Sequence, residues 1–77
     1  MKYVLVLYLC SFVNNTPVIL EQAISPTEYP TYYDCVSDAY ITSYSKIMSL
    51  GVKQVDEKKL AINFICKEAQ SLWNKNN

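Results

Sequence analysis

The first dozen residues constrain the fold most, because they are apolar on both faces of an extended chain. Residues 2–13 read KYVLVLYLCSFV and contain neither Gly nor Pro. Alternate side chains of a strand point to opposite faces, and from Tyr3 to Phe12 both sets are almost entirely aliphatic or aromatic. A strand of this kind is typical of the centre of a sheet that is covered on both sides.

The same segment has some features of a targeting sequence. A basic start, Met1–Lys2, precedes the apolar run, as in a secretory signal. The run of about eleven residues is too short to span a bilayer. Residues 11–14 (SFVN) match poorly the small side chains that signal cleavage favours. We therefore interpret the segment as a buried strand and keep a signal or lipid anchor as the alternative.

A second strand is predicted after a turn. Asn14-Asn15-Thr16 is a turn signal, and residues 16–24 (TPVILEQAI) form a second, weaker strand pattern. Pro17 is tolerated at the start of a strand or at a sheet edge. The two strands together predict a β-hairpin. The next six residues, 25–30, contain two prolines and are expected to be an extended loop.

A long helix is predicted from Tyr32 to about Leu50. Thr31 has the side chain of an N-cap, and Asp34 places a negative charge in the first turn. Gly51 is suited to the C′ position, where a helix commonly ends.

The last segment, residues 55–74, supports two interpretations. As a helix, it begins with Asp56 and Glu57 in its first turn and carries a continuous apolar stripe. We favour this helical interpretation. As a strand, residues 60–67 (LAINFICK) alternate and would extend the hairpin to three strands. The predicted fold is therefore one α+β domain over residues 1–77, with a β-hairpin packed against a long helix and a second, C-terminal helix.

Composition excludes several functions. With 51% hydrophobic and 18% charged residues, the chain is too apolar to be disordered. A formal net charge of zero argues against nucleic-acid binding. The sequence has no His, the commonest general base and metal ligand, and its single Gly cannot form a phosphate loop. We predict no enzymatic activity, no catalytic residue, no cofactor and no metal.

The three cysteines are far apart in sequence and form no CxxC pair. Cys35 and Cys66 both fall on predicted inward faces, so a disulfide between them is a candidate. The alternative is three buried thiols that pack as small apolar side chains. Because three is an odd number, at least one thiol would stay free or pair between chains.

Surplus apolar side chains suggest an interaction surface. Three tyrosines follow one another at helical spacing, and further apolar residues lie outside the predicted stripes. The tyrosines could instead roof the core with their hydroxyls in water. The candidate interface residues are Tyr33, Tyr40, Tyr44, Ile41, Met48, Leu60 and Phe64.

Three short motifs, KYVLVLYLC, YYDC and FIC, resemble small bacteriophage proteins of unassigned function. The resemblance implies a phage-encoded accessory protein that binds and modulates or inhibits a host protein, in the cytoplasm of the infected cell. A sheet with helices on one side leaves a face that a second copy of the chain would cover, which predicts a homodimer. The alternatives are an exported, disulfide-containing protein and a virion or assembly component. No membrane span is expected.

Overall fold

The computed structural model describes residues 2–69, which form three strands and one long helix. The elements follow the order β1 (Tyr3–Ser11), β2 (Val18–Tyr29), α1 (Tyr32–Lys58) and β3 (Leu60–Glu68). The sheet is antiparallel in the order β2-β1-β3, so the strands nearest to the two chain ends are hydrogen-bonded to each other. The α+β class is as predicted.

β1 is the central strand. It pairs with β2 on one side and with β3 on the other, and Leu7 is level with Ala23 and with Phe64. Two further backbone hydrogen bonds extend the β1–β3 pairing: Phe12 N donates to Lys59 O at 3.0 Å, and Ala69 N donates to Lys2 O at 2.8 Å.

Side chains on both faces of β1 are buried. Leu5, 1% exposed, forms the core with Cys35 and Ala39 of α1. On the opposite face Val4 and Val6 are 8% and 5% exposed. The flanking strands, whose side chains stand beside those of β1, contribute to this shielding.

β2 is longer than the predicted strand, because it continues through the segment expected to be a loop. Its pairing with β1 shifts register between Val4 and Val6, where residues 25–27 bulge opposite Leu5. The Ser25 hydroxyl lies 3.3 Å from the backbone N of Thr27, which donates to it. Because β2 is an edge strand, neither Pro26 nor this bulge breaks hydrogen bonds to a strand on its other side.

α1 begins where the sequence predicts. The side chain of Thr31 accepts a hydrogen bond from the backbone N of Asp34 at 3.0 Å, so Thr31 is the N-cap. Gly51 interrupts the helix with φ 89° and ψ 161°, yet helical structure resumes and continues to Lys58. Lys59, in the left-handed conformation with φ 51°, ends it.

The predicted C-terminal helix over residues 55–74 is wrong for the residues that the structure describes. Residues 55–58 belong to the end of α1, and Leu60–Glu68 is the strand β3. Both periodicities fit this segment locally, and the free edge of β1 favours the strand because its backbone groups need partners. The remainder of that predicted helix, residues 70–74, lies outside the described part of the chain.

Candidate interaction surface

Contacts at the N-terminal end of α1 hold it to the sheet. The hydroxyl of Tyr29, at the end of β2, donates a hydrogen bond to the carboxylate of Asp38. The rings of Tyr3 and Tyr32 pack edge to face, with their centroids 5.6 Å apart. These contacts fix which side of α1 faces the sheet.

A disulfide joins α1 to β3. The Sγ atoms of Cys35 and Cys66 are 2.11 Å apart. Cys35 and Ala39, one turn later, are both fully buried. The inward face of α1 in its first half is therefore defined by this pair and by Leu5 beneath it.

The opposite face of α1 carries exposed apolar side chains. Tyr33, Tyr40 and Tyr44 lie within about 40° of one another on the helix, since positions advance by about 100° per residue. Their exposed fractions are 78%, 65% and 67%, and those of Ile41 and Met48 are 65% and 63%. We call these five residues the outer face of α1. An apolar helix face normally packs on the core. Because this one is exposed instead, it is available for contact with another molecule.

Leu60 and Phe64 do not lie on this face. Leu60 is 8% exposed, and Phe64 packs partly against the core. They were expected to be exposed because residues 55–74 were read as a helix, whereas in β3 they share the side that faces α1. Phe64 nevertheless contacts the outer face, since its ring lies edge to face with that of Tyr40 at 5.1 Å.

An apolar groove continues the outer face at the Gly51 interruption. Its volume is about 700 Å³, and its walls include Met48, Val52, Val55 and Leu60. Val52 is 87% exposed. Sequence reasoning missed Val52 because it ended the helix at Leu50; continuing the spacing by one turn from Met48 would have found it.

A second set of exposed apolar side chains lies on β2. Val18, Ile19, Leu20 and Ile24 are between 49% and 60% exposed. β2 is an edge strand, so one side of its backbone has no neighbouring strand among residues 2–69.

The central strand does not supply the exposed apolar surface that the sequence suggested. Val6 is almost fully shielded, and Cys10 is 2% exposed. Tyr8 and Phe12 on the same face are half-buried, and the expectation that a second copy covers this face stays a prediction. Most of the large exposed apolar side chains lie on α1 and β2, with Val13 in the turn after β1 and Ile65 on β3.

The remaining thiol is enclosed. Cys10 is free, and the side-chain amide of Asn63 donates to its Sγ at 3.8 Å. A buried thiol of this kind behaves as a small apolar side chain.

The proton equilibrium of the Tyr29 hydroxyl is perturbed. The hydrogen bond to Asp38 raises the pKa of the Tyr29 hydroxyl above its usual value, and burial and the nearby negative charge act in the same direction. Within residues 2–69 no three His, Cys, Asp or Glu side chains are grouped closely enough to hold a metal ion. In the same part of the chain, no helix has the length and apolar character needed to cross a bilayer.

Comparison with known proteins adds no relationship: no family model, no curated protein and no solved structure matches the chain.

Proposed function

We propose that this protein is a non-enzymatic binding module that contacts another protein through the outer face of α1. The observation that carries the proposal is the row of exposed Tyr33, Tyr40 and Tyr44 along one face of the helix, at the edge where the Tyr40 ring contacts Phe64 of β3. Tyrosine is enriched in protein interfaces because its ring supplies apolar area while its hydroxyl tolerates water.

The composition of the outer face supports a binding function, because the face lacks the charged side chains typical of a helix surface that contacts only solvent. No charged residue occurs between Asp38 and Lys46, although this stretch contains Tyr40, Ile41 and Tyr44. Solvent-facing positions of a helix are usually polar or charged. The resemblance to phage proteins points to a host protein as the partner and to modulation or inhibition as the outcome.

Two isoleucines allow a matched test. Ile41 on α1 is 65% exposed and Ile24 on β2 is 60% exposed, so the same replacement can be made on both surfaces. We expect Ile41→Lys to abolish capture of the partner in affinity purification from the natural host, and Ile24→Lys to leave it intact. Equal capture by both variants and by the parent chain would refute the proposal.

A specific observation favours a second candidate, an exported protein. Disulfides such as Cys35–Cys66 persist in oxidising compartments and are rare in the cytosol of most cells. Export by cleavage after residue 13 would remove β1, the centre of the sheet. The exported form must therefore retain residues 3–11, which N-terminal sequencing of protein from each cell fraction checks. A virion or assembly component would use the same surface for repeated contacts, and high copy number in purified particles is its test.

A further inference from the structure

A line of positions along α1, which includes the three tyrosines of the outer face, has the spacing of a seam between two helices. Successive residues along it are separated alternately by four and three positions, which is the repeat of a coiled coil. This repeat keeps one line of side chains directed at a neighbouring helix over several turns. The seam positions are Tyr33, Ser37, Tyr40, Tyr44, Ile47 and Gly51.

The last seam position, Gly51, carries no side chain and lies where the helical backbone is interrupted. A side-chain carbon built on Gly51 would meet no atom within 4 Å. Met48 and Val52 stand on either side of it, at the mouth of the groove of about 700 Å³. The first seam position, Tyr33, is the opposite, a large side chain that is 78% exposed. One face thus carries a protruding ring at one end and an empty apolar site at the other.

The charges on α1 favour an antiparallel orientation of a neighbouring copy. Asp34 and Asp38 lie near its N-terminal end, and Lys53 lies beyond Gly51. Two parallel copies would bring the aspartates of both chains together, which is unfavourable. An antiparallel pair brings the acidic end of each helix near Lys46 and Lys53 of the other, with Asp56 and Glu57 lying beyond these lysines.

The exposed area is sufficient for a dimer. A buried aromatic side chain contributes about 150 to 250 Å², and a standard interface takes about 800 Å² from each partner. Three largely exposed tyrosines with Ile41, Met48 and Val52 supply most of this area.

We propose that two copies of this chain associate through the outer faces of α1 in an antiparallel pair, with Tyr33 of each copy inserted beside Gly51 of the other. In this register Tyr40 lies level with Tyr44 of the second copy, and Ser37 lies level with Ile47. The inference rests on the proposed function, since it takes the same surface and assigns it to a second copy of the chain, which a host protein would have to displace.

Analytical ultracentrifugation of the full chain at increasing concentration tests the association. We expect a dimer, and we expect Tyr33→Lys and Tyr44→Lys each to raise the dissociation constant at least about tenfold, as for central aromatic residues of interfaces. Ile24→Lys is the control and should dissociate like the parent chain. Circular dichroism and an intact Cys35–Cys66 disulfide in each variant check that the fold is unchanged.

Orientation is measured separately with spin labels on Ser45→Cys and Ser49→Cys, two exposed positions of α1. In the antiparallel register the label pair at position 49 is about 10 Å further apart than the pair at 45, because the helix rises about 1.5 Å per residue. Nearly equal distances would overturn the antiparallel arrangement.

The outcomes separate this inference from the proposed function. A monomer at all concentrations, or a dimer lost in Ile24→Lys but not in Tyr44→Lys, would overturn the inference. If the chain is a monomer and Ile41→Lys abolishes its binding to a different protein, the proposed function stands without the dimer. A monomer whose captured proteins are the same in every variant contradicts both.

Discussion

The hydroxyl of Tyr29, the last residue of β2, donates a hydrogen bond to the carboxylate of Asp38 in α1. This bond spans the turn between the edge strand and the helix. It therefore fixes the start of α1 relative to the sheet, together with the Tyr3–Tyr32 ring contact on the same side.

Loss of this hydrogen bond should destabilise the fold modestly. We expect Tyr29→Phe to lower the free energy of unfolding by about 1 to 2 kcal/mol, because the acceptor is charged but the bond is only partly buried. Urea denaturation measures the change. Tyr44→Phe removes a hydroxyl from a tyrosine that is 67% exposed and should change stability little, so equal losses in the two variants would contradict the assignment.

The same contact predicts a dependence on alkaline pH. Because the pKa of Tyr29 is raised in the folded chain, mainly by the bond to Asp38, the folded state holds this proton more tightly than the unfolded state. Its contribution to stability is complete below pH about 10, the pKa of an unperturbed tyrosine, and falls as the pH rises through the raised value. The difference in unfolding free energy between the parent chain and Tyr29→Phe should therefore shrink above pH about 10. A difference that does not change with pH would argue against a raised pKa of Tyr29 in the folded chain.

The disulfide should contribute the largest single stabilisation. Cys35 and Cys66 are separated by 31 residues, and closing a loop of this length stabilises a fold by about 3 to 4 kcal/mol in the chain-entropy treatment. Cys35→Ala with Cys66→Ala should lower the midpoint of urea unfolding accordingly. Alkylation of the denatured parent chain should modify one thiol, Cys10, before reduction and three after it. Modification of three thiols before reduction would show that the bond is absent.

Gly51 should resist replacement even though there is space beside it. Its φ of 89° with ψ of 161° belongs to a region that is essentially restricted to glycine, while a side-chain carbon would touch nothing. We expect Gly51→Ala to cost about 1 to 3 kcal/mol from backbone strain alone. Lys59→Gly is the counterpart, because Lys59 has φ 51° and glycine would relieve a small strain. A loss in Lys59→Gly as large as that in Gly51→Ala would count against this explanation.

Ser43 should tolerate conversion to Ala with a gain in stability. Its hydroxyl oxygen is buried and has no hydrogen-bond partner among the described residues. Removing an unsatisfied polar group and introducing a better helix former should stabilise the fold by about 1 kcal/mol. Thermal unfolding measures this. Ser45→Ala, at an exposed position of the same helix, provides the control for helix propensity.

Local patterns were sufficient for β1 and for the start of α1. The double-sided apolar run marks a central strand, and Thr31 with Asp34 marks a helix beginning, because each pattern fits one structure. The inward position of Cys35 followed from helical spacing in α1. The inward position of Cys66 would have followed from either helical or strand spacing in residues 60–67.

The C-terminal part of the fold could not be derived in the same way. Residues 60–67 carry an apolar pattern that fits both a helix and a strand. The choice depends on β1, whose paired residues lie about fifty or more positions away in the chain. The outer face of α1 was partly visible, since Tyr33, Tyr40 and Tyr44 were already identified as a row. Leu60 and Phe64 were misplaced because their orientation depended on the wrong element.

Pairing of the first strand with the last has a consequence for how the protein is made. While the ribosome is still adding β3, the emerging polypeptide can form the β1–β2 hairpin and α1, but Leu5 has no Cys66 beside it. Contacts of such large sequence separation form slowly, because a long stretch of chain must be ordered before they are gained. The native sheet is therefore completed after translation has passed residue 68, and until then the second edge of β1 is open to pairing with other nascent chains.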